Sequence, residues 1–206
     1  MDKVFVIGRD AVPQYIRLAQ GESIKWTLVY LPDTGRAVVM GAAPPSIVPI
    51  EIDIDGEGCE VDLAGLYICG GADNVKFDIT VKHNSGGSVS RQLFKGIAGG
   101  SSRAEFDGLI YVKKDAQKTK AYQENHNILL DDTARVETRP QLEIYADDVE
   151  CSHGATTGFL NPDELFYMRS RGIEEQDARR LQMISFLAPV LDRLPGELRE
   201  QAIASI

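Results

Sequence analysis

Basic charge is scarce in this chain. Lys and Arg number 22 against 31 Asp and Glu, a formal net charge of −9 over 206 residues. Nucleic acid selects for basic surfaces, because neutralising phosphates drives its binding. That argues against a nucleic-acid partner and against an anionic membrane surface. Cysteine is scarcer still. Cys59, Cys69 and Cys151 are odd in number and widely spaced, which is no disulfide framework and fits a reducing cytoplasm. No apolar run approaches the roughly 18 residues that span a bilayer. The opening "MDKVFVIGRDAV" has an early acid and a very short apolar run, so it reads as no signal peptide. Together these absences predict a soluble cytoplasmic protein of one domain, or of one domain with a small appendage, long enough to bury a substantial core.

Several motifs are missing as well. Without G-x-x-x-x-G-K-[ST] the chain has no P-loop of its own. Without H-E-x-x-H or C-x-x-C it has no standard zinc signature. The glycine pairs that begin at 70, 86 and 99 follow strand-like segments and open no helix, so they read as turns. Ser152 and His153 are chain neighbours, and neighbours in a strand point to opposite faces, so they form no nucleophile–base pair.

What the sequence does contain, up to about Gly158, is strand after strand. "KVFVIG", "QYIRLA", "SIKWTLVYL", "RAVVM", "IVPIEIDID", "CEVDLAGLYICG", "VKFDITVKH", "SVSRQLFKGIA", "RAEFDGLIYV", "TKAYQENHNILL" and "ARVETRPQLEIYA" alternate with turn signals such as "DGEG", "GGADN" and "NSGG". The strand centres recur at roughly 11–15 residues, which taken in pairs predicts a rung of roughly 25 residues. Periodicity of this kind suits a parallel β-helix and a β-sandwich equally.

Past Gly158 the texture turns helical, dividing the chain into a β body over residues 1–158 and a helical part over 159–206. In "NPDELFYMRSRGI", Asn161 can cap, Pro162 falls at the first helical position and Glu164 three residues after the cap. Gly172 supplies the stop. A second helix is predicted from about Glu174 to Ala188, with Ala178, Leu181, Ile184, Leu187 and Ala188 on its apolar stripe and Pro189 breaking it. A last short helix is expected near Glu197–Ala204.

The densest chemistry lies in "YADDVECSHGATTG". In a strand Cys151 and His153 share a face, and a thiolate with an imidazole suits iron, zinc or copper. Two donors do not close a site, so further ligands have to come from another segment or chain. The simpler alternative makes Cys151 a small buried hydrophobe and His153 a hydrogen-bonded surface or interface residue. Asp147 and Asp148 face opposite ways if extended and read as turn or surface positions. His83 and His126 read as structural, and Cys59 and Cys69 as core. Asp53 and Asp55 in "EIDID" are the same-face acids that a carbohydrate-cleaving β-solenoid would need. They read more simply as outward positions of an alternating strand.

The stretch "LEIYADDVECSHGAT" (142–156) and the helix "LFYMRSRGI" (165–173), led in by "GLIYVKKDAQKTKAYQENHNILL" (108–130), resemble the SufB/SufD family of iron–sulfur cluster assembly scaffolds, the SufD type in particular. The resemblance is specific from about Phe106 to Ile173. It implies a right-handed parallel β-helix followed by a small helical subdomain. It also implies a non-catalytic subunit that dimerises through the β-helix, either with itself or with a SufB-like subunit, and that docks an ABC-type ATPase (SufC) through its C-terminal helices. Nucleotide chemistry would then be in trans. By position His153 matches the SufD-type histidine associated with the subunit interface and cluster assembly, with Cys151 as its companion. The residues implied in partner binding are Asp163, Glu164, Phe166, Tyr167, Arg169 and Arg171. Met168 stands where SufB-type chains carry a cysteine, and a thioether is a poor iron ligand. The resemblance therefore implies no cofactor in the isolated chain, with an iron–sulfur cluster entering only in the assembled complex. Family members usually carry an N-terminal helical segment, and this chain reads as a short form starting almost directly in strands. A rival reading has a dimer bring Cys151 and His153 together twice, so that the protein itself binds a cluster or metal.

Overall fold

The computed structural model describes residues 2–32 and 46–206. Among these, eleven strands precede three helices: β1 (Asp2–Val6), β2 (Tyr15–Leu18), β3 (Ser23–Tyr30), β4 (Ser46–Ile54), β5 (Glu60–Cys69), β6 (Asn74–His83), β7 (Val89–Ala98), β8 (Arg103–Val112), β9 (Lys120–Leu129), β10 (Arg135–Ile144), β11 (Glu150–Phe159), α1 (Pro162–Ser170), α2 (Glu175–Leu191) and α3 (Gly196–Ala204). The "RAVVM" segment lies outside the described residues. Odd-numbered strands form one sheet in the order β1-β3-β5-β7-β9-β11, even-numbered strands the other in the order β10-β8-β6-β4-β2. Every pairing is parallel. The chain thus winds as a parallel β-helix, each rung contributing one strand to each sheet.

Glu60, Val89, Lys120 and Glu150 stack in one column. The rung is therefore 29 to 31 residues long, not the roughly 25 expected from the strand rhythm. The difference is in strand length: the strands from β5 to β11 each run ten residues.

Two cores follow from the period-two alternation. Side chains of one parity point between the sheets, where Leu28, Ile52, Leu63, Tyr67, Phe77, Phe94 and Phe106 are buried. Phe77, Phe94 and Phe106 pack in a row, the first pair edge-on and the second tilted, with centroids 5.5 and 4.7 Å apart. On the outer face of the odd-strand sheet, Ala64, Leu66, Ile68, Ile97 and Ile128 meet Leu187, Val190 and Leu191 of α2, and Ala202 of α3. The ion pair Arg193 to Asp62, at 2.6 Å, ties the turn after α2 to β5.

Asn161 caps α1 as expected, its Oδ1 accepting from the N–H groups of Asp163 and Glu164. Glu164 does not reach back to the cap; it accepts from Gln182 Nε2 at 2.9 Å. Gly172, with φ +86°, ends α1: its N–H bonds Arg169 O while that of Ile173 bonds Met168 O, the left-handed cap that glycine permits. α2 departs from expectation. It runs through Pro189, and Leu181 is 49% exposed. Pro189 removes one helical hydrogen bond, but the turn beyond it buries Val190 and Leu191 completely, and that burial, about 1.5–3 kcal/mol per side chain, offsets it.

Candidate functional site

β10 and β11 form the last rung, each pairing with a strand on one side only: β10 with β8, β11 with β9. The register fixes which side chains face the interior. Ala121, Gln123, Asn125 and Asn127 of β9 are buried between the sheets, and above them stand Cys151, His153, Ala155 and Thr157. This row has interior parity, yet from His153 onward it is exposed, because among the described residues no further rung covers it.

Cys151 and His153 therefore share a face on β11, as their spacing requires. Cys151 packs against the cluster of Ile110, Val112, Ala116 and Ala121 and is half-buried. That burial pushes its thiol upward, partly opposed by a backbone hydrogen bond at Ala121. His153 is exposed. Among the described residues, no three His, Cys, Asp or Glu side chains gather into a metal-holding group. The pair supplies two donors of a soft and borderline type, and a cluster held there needs the rest of its ligands from elsewhere.

The rung's two edges differ. β10 carries Pro140 and the charged Arg135, Glu137, Arg139 and Glu143, features that guard a sheet edge against pairing. From Cys151 to Phe159, β11 has no proline and no Asp, Glu, Lys or Arg. Phe159 at its end is 63% exposed.

Beside β11, a groove of about 940 Å³ opens between this strand and α1 and α2, lined among others by Phe159, Asn161, Glu164, Tyr167, Leu181 and Phe186. α1 buries none of its residues. Phe166 is 74% and Tyr167 59% exposed. Asp163 and Glu164 lie exposed in its first turn. Arg169 pairs with Glu175 at 3.3 Å, and the Arg171 guanidinium sits 5.3 Å from the Tyr167 ring centroid.

The remaining sequence candidates are placed structurally. Asp147 and Asp148 lie exposed in a bend, where Asp148 exchanges hydrogen bonds with the 117–118 turn. Asp53 accepts from Tyr15 Oη at 2.8 Å, and Asp55 pairs with Arg17 and accepts from Asn84. Neither acid faces a groove with the other, so the carbohydrate-cleaving reading has no support. His126 bonds Thr156 and Glu124 at 2.8 and 3.1 Å. His83, Cys59 and Cys69 are buried.

Sequence reasoning did not find the polar interior beneath the last rung. Gln123 Nε2 donates to Gln92 Oε1 at 3.0 Å, Asn125 Nδ2 to Tyr67 Oη at 3.0 Å, and Asn127 Nδ2 to Asn125 Oδ1 at 2.7 Å. The only signal was "QENHN", polar at both parities, which gives alternation nothing to sort.

The architecture is that of a parallel β-helix with helices laid on one outer face and a donor-bearing terminal rung. Residues 40–186 match the model of the SUF system FeS cluster assembly SufBD core domain. The chain belongs to the SufBD family of iron–sulfur cluster assembly proteins and is of SufD type. It is similar to the iron–sulfur cluster assembly protein SufD of Escherichia coli, 47% identical over 127 residues, covering 61% of this chain and 30% of that protein. A SufBD family protein of Synechocystis is 38% identical over 149 residues, 70% of this chain and 33% of the relative. One of Mycobacterium leprae is 29% identical over 210 residues, 98% of this chain and 48% of the relative. The chain thus spans less than half the length of each of these relatives. No helix among the described residues is long and apolar enough to cross a membrane.

Proposed function

We propose that this chain is a non-catalytic scaffold subunit of iron–sulfur cluster assembly, with its β-helix as dimerisation module and its C-terminal helices as docking module for an ABC-type ATPase. The observation that carries the reading is the unguarded edge of β11, beside an uncovered row that holds Cys151 and His153. Exposed strand edges without charge or proline invite strand addition. A second subunit, of this chain or SufB-like, would extend the odd-strand sheet and bring its own donors to the seam. The cluster is cargo in this reading, and Cys151 and His153 are this subunit's share of its ligands.

The exposed aromatics of α1 support the ATPase surface, since aromatic residues are enriched at interface centres. Asp163, Glu164, Phe166, Tyr167, Arg169 and Arg171 form that surface, and ATP hydrolysis takes place on the partner.

Light scattering and pull-down test both halves. Ala155→Glu and Thr157→Glu place charge on the exposed row, and are expected to abolish self-association or capture of a SufB-like subunit while leaving circular dichroism unchanged. A monomer at tens of micromolar that also fails to capture a SufB-like subunit would sink the dimer reading. Failure to co-purify with the ABC-type ATPase, with no change on Arg169→Glu and Arg171→Glu, would sink the docking reading.

A further inference from the structure

The interior column that ends at His153 is a ladder of amides. The β-sheet register stacks Gln92, Gln123 and His153 in successive rungs, all with interior parity. Gln92 and Gln123 are buried, at 2% and 0% exposure. Gln123 spends its donor downward, Nε2 to Gln92 Oε1 at 3.0 Å. Its own carbonyl, Oε1, is buried and has no partner. A buried carbonyl without a donor carries its full desolvation cost, so such groups are nearly always satisfied.

The packing holds this amide in place. A Cβ added at Gly108, on the opposite sheet, would lie 2.5 Å from Gln123 Nε2 and 2.6 Å from its Oε1, so the side chain reaches across the interior to rest on the glycine. With Nε2 committed to Gln92, the carbonyl is what remains for the next member of the column. That member is His153, one strand spacing away, roughly 4.8 Å along the sheet. Its neutral ring carries one N–H and one bare nitrogen, and the residue is exposed.

We propose that Gln123 is a positioning residue for His153: its side-chain carbonyl accepts a hydrogen bond from one imidazole nitrogen, fixing the tautomer and turning the other nitrogen's lone pair out of the open end. An amide carbonyl only accepts, so the ring must donate to it, and the nitrogen left bare is the one able to ligate. Metal-bound histidines regularly donate their second nitrogen to such a carbonyl, and losing that partner costs 10–100-fold in metal affinity. The inference deepens the scaffold reading, because it rests on His153 being the residue that faces the cargo.

Nitrogen-15 correlation spectra of the imidazoles, recorded on the free full chain at pH 8, read the tautomer directly. The chain has three histidines, and His153→Asn assigns the signal. One nitrogen is expected fully protonated and the other bare, a tautomer ratio of at least about tenfold, which equals ~1.4 kcal/mol. Gln123→Met, of similar volume but with no acceptor, is expected to average the two nitrogen shifts. Gln123→Glu, which keeps an acceptor, restores the split. Averaged shifts in the wild-type chain overturn the proposal without need of any variant. A split that survives Gln123→Met overturns it too. A split lost in Gln123→Glu overturns the direction of the bond, since the ladder would then run the other way. These spectra need neither partner nor cluster, so their outcome is separate from that of the dimerisation and ATPase tests.

Discussion

His83 Nε2 and Ser90 Oγ lie 2.8 Å apart between the two sheets, both without exposed surface. Burial holds this imidazole neutral, lowering its pKa from the ordinary 6.5 to about 4. The unfolded chain binds the proton first as pH falls, so stability is complete above pH 6.5 and declines between 6.5 and 4. The expected loss between pH 7.5 and 5 is about 2 kcal/mol. Urea unfolding at both pH values measures it. His83→Gln, which can still bond Ser90, is expected to flatten the slope, and a slope equal to wild type would refute the assignment.

Gly96 faces the ring of Tyr67. A Cβ there would lie 1.8 Å from Tyr67 Cε2, and one at Gly65 would lie 2.1 Å from Phe94 Cδ1. Both rings are fully enclosed. Gly96→Ala and Gly65→Ala are each expected to destabilise by about 1–3 kcal/mol through overpacking, read as a lower urea midpoint at unchanged m-value.

Leu187 sits fully buried where α2 meets the outer face of the odd-strand sheet. Leu187→Ala is expected to cost about 2–5 kcal/mol. A loss below about 1 kcal/mol would mean that the helices are not firmly seated on the sheet.

Phe166 projects from α1 with most of its surface in solvent. Phe166→Ala is therefore expected to move stability by less than about 0.5 kcal/mol, while weakening capture of the ABC-type ATPase by at least about tenfold in a titrated pull-down. Equal capture by the two proteins would remove this ring from the docking surface.

The elements were legible because their signals are local. Asn161, Pro162 and Gly172 punctuate α1, and strands such as "NVKFDITVKH" alternate cleanly, with Val75, Phe77, Ile79 and Val81 inside. Rung length was misjudged because it depends on where strands end, and flanking turns do not fix that. Leu181 and Pro189 misled for a related reason: helical periodicity marks an apolar stripe but not the sheet that receives it, and the outer residues Leu66 and Ile68 decide which side of α2 is covered. In the candidate site, the shared face of Cys151 and His153 followed from spacing alone. Gln123 did not, because Gln123, Glu124, Asn125, His126 and Asn127 are polar at every position and only the register reveals which three point inward.

The last rung rests on one neighbour rather than two. In a solenoid each rung's persistence is set by its adjoining interfaces, so the amides of this rung should exchange with deuterium sooner than those of β5 or β7. The strand that carries Cys151 and His153 is then softer than β5 and β7, which each lie between two strands, when the subunit is alone. Adding a second subunit's strand would supply the absent neighbour, so assembly and the stiffening of those two side chains would be a single thermodynamic event.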